Sequence, residues 1–401
     1  MGVDLSHARP DFPPSARAPA VLQWVQLKLH LIASAASRAT GPVPSASTVR
    51  EYQDYARELR PLLPPEAFRT NPDRLALVLI NLVILVLGWG LAHRLERWPL
   101  QWLPLFLPFA LVMANSIVVL LFASHDLLHG NALRQPRWRR VVGLVGLAVL
   151  WMPPTLWQAV HNREHHGNTN ALADPDRSYL ERQGAGWGSW IQHQFVPSSE
   201  VRPLGLLLGM GGSWAVHNLR TFIAVLQGEG HGPSPAPARF ALGPVETRRI
   251  LIELAVIALG HALVIAGIGL APLPLLLGYV LPLWLGYAGA MAYIYTNHFL
   301  SPLTEVNDPL LNTLSLKVPR WLDALHLNFS HHVEHHIFPG LNTDYYPMVR
   351  RLLIDRYGDR YKQLPAARAW QLLMATPRYY RNSTTLVNQA GDHQVQVPLA
   401  G

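Results

Sequence analysis

Hydrophobic positions along the chain gather into long uncharged runs, not into the periodic faces of soluble helices. Residues 75–92, LALVLINLVILVLGWGLA, carry no charge and are long enough to cross a bilayer core of ~30 Å. A short link containing Arg94 and Arg97 leads to a second run, residues 102–123. Its early prolines fall near a helix end, where they are tolerated. Residues 250–270 and 273–295 make a second hairpin, with Pro272 and Pro274 at the turn. Glu253 and His261 interrupt its first arm. An ionisable group at mid-membrane depth is a functional candidate by default, but His261 has no histidine neighbour, which favours a hydrogen-bonded structural role. Residues 141–152 are apolar for only about a dozen positions before a Pro-Pro pair. That length fits a re-entrant or interfacial segment and not a crossing. The mixed run 205–226, which holds Arg220, is read as interfacial too.

This pattern predicts an all-α, multi-pass membrane protein: four transmembrane helices in two hairpins, with interfacial helices and a cytosolic helical cap. Each hairpin enters and leaves on one side, so residues 1–74, 124–249 and 296–401 share that side. They hold the large basic segments, which makes it the cytosolic side; the inner membrane of a bacterium is the expected location. Three regions follow. Residues 1–74 form an N-terminal cytosolic segment, disordered over 1–20, where residues 22–34 fit an amphipathic surface helix as well as an ordinary soluble one. Residues 75–350 carry the membrane domain and its chemistry. Residues 351–401 form a C-terminal cytosolic segment whose tail after Thr384 is expected to be disordered. The Gly- and Pro-rich stretch 228–239 reads as a flexible loop.

Composition sharpens the picture. Charged residues make up 14% of the 401, against about 25% in soluble domains. Half the residues are hydrophobic, and mean hydropathy is +0.13. The net charge of +8 comes mostly from scattered arginines with no long basic run, which fits a membrane protein and not a nucleic-acid binder. There is no cysteine, so disulfides, thiolate zinc sites and a fused iron–sulfur domain are excluded. A metal must be held by His, Asp or Glu. The N-terminus has no apolar signal-peptide core. Gly2 and Ser6 fit the loose myristoylation pattern, which is short enough to arise by chance.

The histidines carry the chemistry. HDLLH (His125 to His129) follows the second run, HNREHH (His161 to His166) comes next, and HVEHH (His332 to His336) lies beyond the fourth run, with His298 between. Four of them, His331, His332, His335 and His336, fall within six residues. His125 and His129 are four apart and share a helix face, as do His161 and His165, and His332 and His336. On an α-helix His166 turns about 100° from His165. With 19 histidines in the chain scattered pairs are expected, but three dense boxes at the membrane edge are not. Eight box histidines and His298 exceed what one metal can use, and suit two metals with open positions. Imidazole suits Fe, Zn, Cu and Ni alike, so ligand type alone does not name the ion. Asp126, Glu164 and Glu334, one carboxylate per box, are candidates to orient ligating histidines, or else are solvated charges. His326 and His331 flank the third box, and His332 is favoured over them because it completes the spacing. His7, His30, His93, His193, His217, His231 and His393 are isolated and are given no role.

At these residues the chain resembles the integral-membrane fatty acid desaturase family, which includes related hydroxylases and ketolases. The family's boxes have the forms HxxxH, HxxHH or HxxxHH, and HxxHH, separated by transmembrane hairpins. Here they read His125–His129, His161–His165–His166 and His332–His335–His336, with Trp157 before the second box, TNALADPD (169–176) after it and IFPGLN (337–342) after the third. The resemblance spans roughly residues 75–350. It implies a non-haem centre of two Fe ions at the cytosolic surface, O2 as co-substrate, and an acyl chain in an internal tunnel. The implied iron ligands are His125, His129, His161, His165, His166, His298, His332, His335 and His336. His298 matches an extra ligand of stearoyl-type members. Those members have Asn four residues earlier, where this chain has Ile294. Asn297 and His331 join the carboxylates as supporting candidates. The third box begins with His332 and not the Gln of front-end desaturases, and the HPGG of a fused cytochrome-b5 domain is absent. The implied electron donor is therefore a separate protein, of ferredoxin, rubredoxin or cytochrome-b5 type, with its reductase. Other partners are a fatty acyl substrate and membrane lipid, with no nucleic acid.

The expected activity is O2-dependent insertion of a C=C bond into a fatty acyl chain. The boxes do not separate it from hydroxylation, acetylenic bond formation or decarboxylation to a terminal alkene, since the fate of the carbon radical depends on fine geometry. A metal transporter is the rival from another class. It would place ligands along the spans, whereas only His261 is central here.

Overall fold

The computed structural model describes residues 49–177, 195–227 and 241–398; the expectations for residues 1–34 and for the loop 228–239 lie outside the described residues. Helix α1 (Tyr52–Leu59) precedes α2 (Asp73–Ala92). A 3-10 turn then leads into α3 (Leu107–Leu128). Helix α4 (Pro136–Ala148) stops short, and α5 (Pro154–Trp157) continues as a π-helix over Gln158–His165. Next come α6 (Pro203–Gln227), α7 (Pro244–Ile268) and α8 (Leu281–Asn297), the last entered through a π-helical turn at Leu276–Val280. Beyond it lie α9 (His332–Ile337), α10 (Tyr346–Tyr357) and α11 (Ala366–Ala375).

Among the described residues four helical runs are long and apolar enough to cross a membrane: Asp73–Arg97, Leu100–Leu128, Pro244–Ile268 and Pro272–Asn297. Their outer faces are apolar, with Leu79, Val86 and Leu87 on α2 each more than 60% exposed, as lipid contact requires. The interior belongs to α3, in which every residue from Ser116 to Leu128 is buried. It packs between α2 and α8. The α8 contact is close because Gly286 has no side chain: a Cβ there would lie 2.8 Å from Ile117 Cβ and 3.0 Å from the Ala114 carbonyl. Without a hydrophobic drive between helices in lipid, such close approach supplies the packing energy.

Helix α4 ends inside the bundle, and the chain reverses through Trp151 at a φ of 54°. A helix C-terminus leaves carbonyls without partners, and here three helices supply them. His261 Nε2 lies 2.9 Å from the Ala148 oxygen and the Tyr287 hydroxyl donates to Val149 at 2.9 Å. Trp214 Nε1 and Asn218 Nδ2 both donate to Leu150, at 2.8 and 2.7 Å. His261 also meets the Tyr279 hydroxyl at 2.7 Å and stacks on Trp151. Its role is thus the structural one expected. Glu253 does the matching work at the start of α5, accepting the Thr155 amide at 3.0 Å and hydroxyl at 2.7 Å.

Beyond the spans, α9 to α11 form a cap. β1 (Ser315–Lys317) pairs in parallel with β2 (Gln363–Pro365), Ser315 opposite Gln363. Residues 385–398 are ordered, contrary to expectation: β3 (Tyr379–Asn382), β4 (Thr385–Val387) and β5 (Gln394–Gln396) form an antiparallel sheet. Leu386, Val395 and Val397 are buried beneath it. Val395 and Val397 alternate with polar residues, a period-2 signal too short to stand out.

Removing the Glu253 carboxylate strands a buried amide and a buried hydroxyl, at about 1–3 kcal/mol each. Glu253→Ala should therefore lower Tm in detergent well below that of Glu253→Gln, which keeps an acceptor oxygen. Equal melting of wild type and Glu253→Ala would contradict the capping role.

Candidate metal centre

Four separated stretches bring their imidazoles to the cap end of the spans. The last turn of α3 presents His125 and His129, ring centroids 4.7 Å apart. The second box lies on the π-helix, and its wider turn changes which residues share a face. The His166 amide bonds the His161 carbonyl at 3.1 Å, five residues back. His166 therefore does not turn away as α-geometry predicts; its ring is 4.9 Å from both His161 and His129. Helix α9 supplies His332, His335 and His336, and His298 caps the C-terminus of α8.

These rings sort into two sets. His125, His129, His161 and His335 bring their candidate ligand atoms within 4.8 Å of one another, as do His165, His298, His332 and His336. Adjacent residues diverge: His335 serves the first set and His336 the second. His166 lies between, its Nε2 3.1 Å from that of His335 and its ring stacked 4.5 Å from His336.

Outside the cluster, the second ring nitrogens have partners that fix their orientation. His165 Nδ1 lies 2.9 and 3.0 Å from the Asp174 oxygens, and His161 Nδ1 3.3 Å from Asp176. His298 Nδ1 faces the Asn312 carbonyl at 3.0 Å, His335 Nδ1 the Tyr346 hydroxyl at 3.1 Å, and His336 Nδ1 the Thr169 hydroxyl at 3.3 Å. The Thr169 proton goes to the His165 carbonyl at 2.9 Å, so this hydroxyl accepts from His336. His298 and His336 then carry N–H on Nδ1 and a lone pair on Nε2. Both lone pairs point at His332 Nε2, at 2.8 and 3.1 Å. One nitrogen can donate to only one of them. His129 Nε2 is buried without a hydrogen-bond partner, and His125 Nε2 faces His161 Nε2 at 3.2 Å. Such an excess of converging lone pairs fits a cation.

Protonation follows the same logic. Burial, aided by neighbouring imidazoles, pulls His129, His166, His298, His332, His335 and His336 well below the usual histidine range. His161 is lowered to about 3, burial outweighing its bond to Asp176. His165 alone moves up: burial lowers it, but the Asp174 charge prevails. Burial raises Asp176, yet the bond from His161 and the nearby His217 hold it ionised. Neutral imidazoles are the form a metal takes.

The box carboxylates form their bonds with groups outside the cluster. Glu164 pairs with Arg163 at 3.3 Å. Glu334 gathers His331, Ser315, Arg350 and Tyr361 on the far side of α9, where it is lowered to about 2 because these partners outweigh its burial. Each directly precedes a cluster histidine, and residues one apart on a helix do not face each other. His331 goes with Glu334, away from the cluster. Asp126 lies 3.6 Å from His125 Nδ1, but its bonds go to Arg74 and Thr343. Asn297 lines the cavity beside the centre. The carboxylates that bond cluster histidines are Asp174 and Asp176, within the stretch 169–176, nine and fifteen residues from those histidines. Their signal in the sequence was two acids in a turn just after the box.

Against the cluster lies a cavity of about 390 Å3, within the range of small-molecule sites. His125, His161, His165, His298 and His332 form one wall; Leu121, Met152, Leu156, Val160, Met291 and Phe329 contribute apolar lining. Trp157 stacks on His161 at 4.7 Å and closes the side.

A family model described as fatty acid desaturase matches residues 100–365, well over half the chain and all nine histidines. No curated protein matches.

Two outcomes test the centre. Asp174→Asn and Asp176→Asn should weaken metal binding roughly 10–100-fold in chelator competition, and unchanged affinity would rule out the orienting role. His335→Ala and His336→Ala should each retain part of the wild-type metal by plasma mass spectrometry and the double variant least; equal loss in all three would contradict two sets.

Proposed function

The chain belongs to the fatty acid desaturase family, and from that premise we propose that it inserts a C=C bond into a fatty acyl chain at a centre of two irons, using O2 and electrons from a separate donor protein. The observation that carries the reading is the junction of an apolar cavity with two four-histidine sets at one end of the spans. Two irons bound there supply the power to reduce O2 and to remove hydrogen from an unactivated methylene. The nine histidines hold the metals, with His166 between the two sets.

The chain's own residues do the rest. Asp174, Asp176 and Asn312 fix ring orientation by accepting Nδ1 protons. Leu156, Val160 and Phe329 keep water from the carbon chain. Trp157 holds His161 against the wall. In our reading the histidine end faces the cytosol, where the separate electron donor has access. The four spans and the family make the protein integral to a membrane. Ligands gathered at one end, with His261 engaged by Ala148 and Tyr279, leave no string of sites along the spans and disfavour a transporter.

Gas chromatography–mass spectrometry of acyl chains and volatiles from expressing cells tests this. A new double bond with wild type, absent with His335→Ala/His336→Ala, is the expected result. Hydroxy acids, acetylenic chains or 1-alkenes would overturn the desaturation outcome and keep the centre.

A further inference from the structure

Helix α6 carries three glycines close together where it borders the cavity, and they are not equivalent. A Cβ at Gly209 would run into the Phe195 backbone, and one at Gly211 into the Trp284 ring. Both are glycine because neighbours occupy the space. At Gly212 no described atom lies within 4 Å of where a Cβ would stand. Packing against the described residues therefore does not demand glycine there. Nor does the backbone, which is ordinary helix at that point. Among residues without a ring closure, glycine is the poorest helix former. Gly212 lines the cavity, so the room it leaves belongs to the cavity.

Position along the helix gives that room a meaning. His217 Nε2 lies 3.5 Å from Asp176, which also holds His161, so His217 marks the metal end. Leu208 lines the same cavity nine residues earlier, about 13 Å away along the axis. Gly212 falls about halfway, roughly 7–8 Å from the His217 level.

We propose that Gly212 sets how far an acyl chain reaches past the metal centre, the space left by its absent side chain holding the distal methylenes. This rests on the acyl-chain reading of the cavity. Each methylene excluded from an apolar site lowers affinity roughly fourfold. A side chain at 212 takes the place of several of them.

The test is the series Gly212→Ala, Gly212→Val and Gly212→Leu, expressed beside wild type and supplied with saturated fatty acids from decanoate to stearate. The ratio of long-chain to short-chain product should fall step by step, by about tenfold or more at leucine. An unshifted ratio overturns the inference, and so does a loss equal at every length, which would mark a mouth residue. Size-exclusion profiles report folding; where leucine does not accumulate, the alanine and valine steps decide. Purified wild type is also crosslinked with diazirine-bearing palmitate and the label mapped by mass spectrometry. Label on the α6 peptide with an unshifted series sinks this inference alone. Neither label nor product in the wild type sinks the acyl-chain reading and this inference with it.

Discussion

Nitrogen lone pairs that face one another in a water-poor pocket repel unless positive charge lies between them. That constraint governs this protein. His298 and His336 both aim at His332, and His129 has a buried nitrogen with no partner. A buried polar group left unsatisfied costs about 1–3 kcal/mol. Several of them rival the net stability of a whole domain, about 5–15 kcal/mol. A fold that collects so many must recover the energy from what the nitrogens bind. Binding energy at such a site is in part folding energy, so on the proposed reading metals held by the cluster would count toward the stability of the folded state.

The rest of the membrane domain can be read as the apparatus that holds those rings still. The second box depends on a reversal of the chain inside the bundle, which would be intolerable in lipid were its carbonyls bare. The polar residues of the later helices are spent there: His261 on Ala148, Tyr287 on Val149, and Trp214 and Asn218 on Leu150. Glu253 then fixes the first turn of α5, from which the π-helix carries His161, His165 and His166. A five-residue turn brings together three histidines that a regular α-helix would split between faces. The wide turn and the gathering of these histidines are one device.

Much of this was legible in the sequence because its signals are local. Uncharged runs of about twenty residues have few structural solutions, and the four-residue spacing of His125 and His129 fixes a shared helix face without reference to anything distant. Other features were not legible, for a physical reason in each case. The π-turn follows from tertiary packing around the second box, and nothing in QAVHNREH distinguishes it from an α-helix. The carboxylates nearest the histidines in sequence, Glu164 and Glu334, looked like their partners, yet adjacency on a helix points side chains apart. Asp174 and Asp176 reach back because the chain turns after the box, with Asn170 at a φ of 57° and its amide bonded to Asp174 at 2.7 Å. The terminal sheet escaped notice because three short strands carry little period.

Cavity and histidine cluster are also built from the same helices, and this ties the place of one to the place of the other. On α3 the cavity residue Leu121 stands one turn before His125. On the second-box helix Leu156 and Val160 precede His161, and on α8 Met291 lies two turns before His298. The offset between cavity and histidine cluster is thus set by helix rise, about 1.5 Å per residue, and not by loops. One residue of slippage would turn a ligand by about 100° and carry the lining with it. Ligands and lining therefore cannot drift independently, and a change in which carbon reacts has to come from side chains inside the cavity while the helices stay in register.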